Sequence, residues 1–69
     1  MKISARNQIA GKVASVTKGA TTSHVKIDVG GGQIITASIT NEAVDELGIK
    51  TGSAVKAIIK ASDVMVGVP

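Results

Sequence analysis

"HVKIDVGGGQIITASITNEAVDELG" (His24 to Gly48) decides the fold. Its first part alternates cleanly, with Val25, Ile27 and Val29 on one side and His24, Lys26 and Asp28 on the other, the mark of a half-buried strand. "GGG" (Gly30 to Gly32) then turns the chain into "QIITASI", where Ile35, Ala37 and Ile39 share a face. A glycine triplet between two alternating strands reads as a hairpin turn, because glycine adopts the positive φ such turns demand. No Lys-Ser or Lys-Thr follows at the spacing of a phosphate-binding loop, which argues against nucleotide binding. "TNEAVDELG" is the one helix. Thr40 or Asn41 can cap it, and Glu42 suits its positive end. Val44 and Leu47 fall on one side, with Ile39 placed to staple onto Val44. Gly48 stops the helix.

Working outward, "NQIAGKVASVTKG" before this core reads as a long strand. Ile9, Gly11 and Val13 line one face, and the pattern shifts register by Val16, which predicts a bulge. "ATTS" is a polar turn, and "KIS" (Lys2 to Ser4) is a short strand candidate. After the helix, "KTGS" turns into "AVKAIIKAS", where Val55, Ala57 and Ile59 alternate with Lys56, Ile58 and Lys60. "DVMVGV" is expected to be a last strand. Strands, a short helix, then strands make a β-rich chain. The order fits a small five-stranded barrel of the oligonucleotide/oligosaccharide-binding type, with the helix between strands three and four. Residues 1–69 form a single domain, with no internal repeat or linker.

Composition narrows the function. The chain has no Cys, so neither disulfides nor thiolate metal sites are possible. It has no Phe, Tyr or Trp. Its core therefore lacks large aromatic side chains, and a chain of 69 residues is short for a self-sufficient core. Oligomerisation is the remedy left open, and an obligate oligomer is expected. The same lack of aromatics removes the usual platform for stacking single-stranded nucleic acid, so nucleic acid is not the expected partner. The lone His24 sits on a polar strand face, and the carboxylates are dispersed. Neither a catalytic residue nor a free-cation site is expected. No apolar run reaches the roughly 20 residues of a membrane span. "SARNQ" interrupts the stretch a secretory leader would need, so a cytoplasmic chain starting at its own methionine is expected.

The formal charge of +3 favours anions. Hydrogen-bond donors concentrate in three islands: Ser4-Ala5-Arg6-Asn7-Gln8, Thr40-Asn41 and Lys60-Ala61-Ser62. A tetrahedral oxyanion needs such a set, with hydroxyls, amides and one or two cations converging on oxygen acceptors. Each island also has a plain structural use, as a solvated edge strand, a helix cap or a loop.

"SARNQIAGKV", "ITASITNEAVDELGI" and "VKAIIKASDVMVGV" resemble the molbindins (the Mop family), small cytoplasmic molybdate-binding proteins, along essentially the whole chain. The resemblance implies molybdate or tungstate as ligand, with no organic cofactor. It also implies a homo-oligomer, a hexamer built as a trimer of dimers, with sites between subunits. By motif, it assigns oxyanion binding to Ser4, Ala5 and Arg6, to Thr40, and to Lys60, Ala61 and Ser62. The family also has a second class of site, for which the Lys18-to-Ser23 turn is the candidate. A different and local likeness, "EAVDELGIKTGSAVKAI", points to the swapped-hairpin DNA-binding domains of transcription regulators and antitoxins. In those domains the run follows closely on one short N-terminal hairpin strand, whereas about forty residues of strand-rich sequence precede it here, so a DNA-binding module of that kind is the alternative reading.

Overall fold

The computed structural model describes all residues, Met1–Pro69. Four antiparallel strands form one sheet in the order β3-β2-β1-β4. They are β1 (Asn7–Lys18), β2 (Thr22–Gly30), β3 (Gln33–Thr40) and β4 (Ala54–Ile59), with helix α1 (Asn41–Leu47) between the last two. The long β1 organises the sheet. Its first half pairs with β4, from Asn7 opposite Ile59 to Lys12 opposite Ala54. Its second half pairs with β2, from Lys12 opposite Asp28 to Lys18 opposite Ser23. Changing partner part-way along lets the sheet curl over its own inner face.

Two residues of β1 permit the bend. Between Val13 and Ser15 the β1–β2 register slips, leaving Ala14 as an extra residue opposite β2. This is the expected bulge, and it returns Val16 to the side of Val13, opposite Val25. Gly11 supplies close approach. A Cβ there would lie 2.6 Å from the Asp28 carbonyl oxygen and 2.8 Å from Ile27 Cγ2.

The expected β2–β3 hairpin is present. Gly30 stands opposite Gln33, and the two residues between them, Gly31 and Gly32, have φ of 61° and 77°. Positive φ at both central positions is what a two-residue turn matching the strand twist requires. The helix is capped as read: Thr40 Oγ1 accepts the Ala43 amide at 3.0 Å. Beyond its last turn, Gly48 (φ 65°) donates to Asp45 O and Ile49 to Val44 O, the two bonds of a Schellman motif. Val44 is buried with Val13, Val25, Ile27 and Ala57 in the core, and Val16, Val29, Ile35, Ala37, Ile39, Ile49 and Val55 pack around it.

Three expectations are corrected. The curled sheet has four strands rather than the five expected, because "DVMVGV" forms none. A 3-10 turn at Ala61–Asp63, held by Asp63 N–H to Lys60 O (2.9 Å), leads the chain off the end of β4. Val64–Pro69 then runs on without a sheet partner, its apolar side chains in solvent. Lys2–Ser4 likewise precedes the first rung of the ladder and is not a strand. Leu47 does not join Val44 inside; it is 71% exposed, at the mouth of an apolar trough of about 450 Å³ between β3 and β4. These are the two edges of the sheet, and they do not pair with each other. No helix is long and apolar enough to cross a membrane.

Candidate functional site

The last rung of the β1–β4 ladder is Asn7 opposite Ile59. Arg6 and Lys60 are the next residues outward on the two strands. The register therefore gathers Ser4-Ala5-Arg6 and Lys60-Ala61-Ser62 at one end of the sheet. Lys60 is still extended (φ −64°, ψ 134°), and the 3-10 turn begins directly after it. That turn uses the amides of Asp63 and Val64. The amides of Ala61 and Ser62 make no hydrogen bond within the chain, nor do the hydroxyls of Ser4 and Ser62.

The cations are equally uncommitted. The one ion pair of the chain is Lys18 to Asp45, 2.9 Å long, on a different part of the surface. Arg6 and Lys60 have no carboxylate partner. Ala5 is half-buried, while Ser4, Arg6, Lys60, Ala61 and Ser62 are exposed. Two cations, two hydroxyls and two amides, all free to donate, therefore lie on exposed segments at one end of the sheet. Such a group suits an anion with several acceptor oxygens.

Thr40 is elsewhere. It ends β3 opposite Thr22, at the start of β2, whose next residue Ser23 stands opposite Lys18 at the far end of β1. β1 spans 12 residues at about 3.3 Å each, so Thr40 and Arg6 lie at opposite ends of the longest strand. The structure joins two of the three donor islands and leaves the third apart. The Thr40 hydroxyl caps α1 as an acceptor and retains its own proton for donation.

The Lys18-to-Ser23 turn is largely committed to structure. Asn41 Nδ2 donates to Gly19 O (3.0 Å) and Ala20 O (3.4 Å), while Ser23 Oγ donates to Asn41 Oδ1. Lys18 is taken by Asp45. Asn41 is thus a clamp between helix start and turn rather than a free donor. Asn7 is likewise structural: its Nδ2 donates to Ile59 O at 3.2 Å. The sequence held no local signal for either role, since these bonds join residues 18 to 52 positions apart. His24 is exposed on the outer sheet face, opposite Thr17 and Ser38. No three His, Asp or Glu side chains come together as a cation site would require.

The pattern of the TOBE domain matches residues 3–66. The chain belongs to the TOBE domain family. Within that family it is 50% identical over 68 residues to a probable molybdenum-pterin-binding protein of Haemophilus influenzae, covering 99% of each chain. It is similar in structure to MopII of Clostridium pasteurianum, with TM-score 0.90 and 43% identity over 97% of this chain and 100% of that one. It also resembles the cytoplasmic molybdate-binding protein ModG, solved with molybdate bound, with TM-score 0.94 and 45% identity; the likeness covers all of this chain and 49% of ModG. The resemblance carried by the "SARN", "ITAS" and "KAS" runs thus extends through the whole TOBE domain. The swapped-hairpin likeness does not hold. The helix and turn that suggested it follow three antiparallel strands of a single sheet and belong to this fold.

Proposed function

We propose that this TOBE domain binds molybdate, or the analogous tungstate, between the subunits of a homo-oligomer. It would thereby store or buffer the oxyanion in the cytoplasm, as a binding protein rather than an enzyme and without an organic cofactor. One observation carries the reading. The segments bearing Arg6 and Lys60, neither with a carboxylate partner, leave the same end of the β1–β4 pair, and with them come the free hydroxyls of Ser4 and Ser62 and the free amides of Ala61 and Ser62.

In this reading the two cations offset the dianion, and the fixed hydroxyls and amides of Ser4, Ala5, Ala61 and Ser62 satisfy its oxygens. Thr40 lies at the other end of β1 and cannot reach the same anion within one chain. Thr40 of the partner subunit would complete the shell, which makes assembly a condition of full binding. In the single chain Arg6 and Lys60 face water, which screens their repulsion. Burial between subunits would remove that screening, so the anion would stabilise the assembled state. A hexamer, arranged as a trimer of dimers, is the assembly proposed. Support for the ligand comes from the relatives: MopII and ModG share the fold at over 40% identity, and ModG holds molybdate.

Native mass spectrometry with and without molybdate reads oligomer size and bound anions together. An oligomer that gains molybdate masses is expected. Arg6→Ala should keep the oligomer and lose tight binding in calorimetric titration. A strict monomer that takes up no oxyanion, or an Arg6→Ala protein with undiminished affinity, would overturn the assignment. A gel shift at physiological salt is expected to show no stable DNA complex.

A further inference from the structure

Asn7 stands at the junction of the two donor segments and spends its own donor on the fold rather than on the anion. Its backbone continues directly into Arg6. Its half-buried carboxamide donates to the carbonyl of Ile59, 52 positions away, at 3.2 Å. The Ile59–Lys60 peptide is planar and trans, so holding its carbonyl also sets the direction of the Lys60 N–H and the plane from which Lys60 departs. From there the extended Lys60 leads into the 3-10 turn that presents Ala61 and Ser62. One side chain thus ties the start of β1 to the end of β4 at the rung nearest the donors.

That rung is where a ladder is weakest. End rungs fray first, and here two like charges lie just beyond it. Both Arg6 and Lys60 are exposed, so their repulsion is weak and screened, but it opposes pairing at this end. A bond from the Asn7 side chain supplements the backbone pairing at the point where the repulsion acts.

We infer that Asn7 is the positioning residue of the oxyanion site, a latch that holds Arg6 and Lys60 at binding separation before the anion arrives. This rests on the reading of those two segments as the anion's ligands. Outer-shell partners of metal ligands typically contribute about ten- to hundredfold to binding; by analogy, Asn7→Ala, which frees the backbone leading into Lys60, is expected to lose molybdate affinity by about that factor. Its oligomer mass and far-UV circular dichroism should match wild type. Hydrogen exchange in the last rungs of the β1–β4 ladder, Asn7–Gln8 with Ile58–Ile59, should be faster in the anion-free protein, a change that a role in global stability alone would not confine to those rungs. Asn7→Gln, whose carboxamide can still reach the carbonyl, should bind within about threefold of wild type, whereas Asn7→Asp, which cannot donate, should fall by about tenfold or more.

The test uses the full-length protein, with calorimetric titration of sodium molybdate into wild type and the three variants. If wild type does not bind, the ligand assignment fails and the inference with it. If wild type binds and Asn7→Ala binds equally well, the assignment stands and the latch is overturned. The latch is also overturned if affinity falls only as the oligomer dissociates or exchange rises uniformly along the chain. If Asn7→Ala does not fold, Asn7→Gln and Asn7→Asp decide, and equal affinities in those two refute the latch.

Discussion

Gly11 and Asn41 show how single residues bear on this fold in ways their types alone do not announce. Gly11 has no room for a side chain: a Cβ would meet backbone at 2.6 Å, and backbone cannot swing aside as a long side chain can. Gly11→Ala should destabilise the protein by about 1–3 kcal/mol, read as a lower urea midpoint at fixed protein concentration. Asn41 accepts from Ser23, whose hydroxyl is fully buried, and donates to two carbonyls of the β1–β2 turn. Asn41→Ala strands that hydroxyl without an acceptor, at a cost of about 1–3 kcal/mol, again seen in the urea midpoint. At this scale the donor islands were legible from composition, because Ser, Arg, Asn and Lys stand out among Val, Ile and Ala. That two of their members, Asn7 and Asn41, brace the fold was not legible. Asn7 and Asn41 have the same chemistry as a ligand donor, and only their partners across the fold distinguish them.

Secondary-structure elements follow local rules here with few exceptions. Alternation placed β2 and β3, the glycine triplet placed their turn, and the slip by Val16 announced the bulge at Ala14. The Thr40 cap and Gly48 stop were readable because each satisfies helix-end groups by a short-range bond. Thr40→Ala should cost about 1 kcal/mol of stability through the lost cap, whereas Thr40→Ser should keep the cap and leave the thermal midpoint close to wild type. Comparing molybdate affinity in the two separates capping from any role of the hydroxyl at the anion. Like the short "KIS", "DVMVGV" is an exception. Its apolar alternation is that of a strand, but a strand also needs a neighbour's edge, and the 3-10 turn at Ala61–Asp63 carries the segment away from its own sheet. Local pattern specifies a capacity to pair; it does not supply the partner.

For the molecule as a whole, the interior is thin. Only Val13, Val25, Ile27, Val44 and Ala57 form the buried apolar cluster, while Met65, Val66 and Val68 are 93%, 90% and 88% exposed and the trough between β3 and β4 stands open. Apolar surface left in water on this scale fits the proposed oligomer, in which subunits cover it. The thermal midpoint is then expected to rise with protein concentration. Val66→Asp, harmless to an isolated chain with that side chain in solvent, should shift native mass spectra toward smaller species. Unchanged assembly in that variant would place the interface elsewhere. Taken by itself, the sequence determined the β-rich class, the helix position, the hairpin, the bulge and the places where hydrogen-bond donors concentrate, because each rests on residue type and spacing within a few positions. Only the tertiary structure decided that β1 switches partner from β4 to β2, that the segments bearing Arg6 and Lys60 emerge at the same end of the sheet, and that Thr40 lies at the far end. Those follow from strand register between segments up to 52 residues apart, and register is settled by how the whole inner face packs rather than by any one stretch.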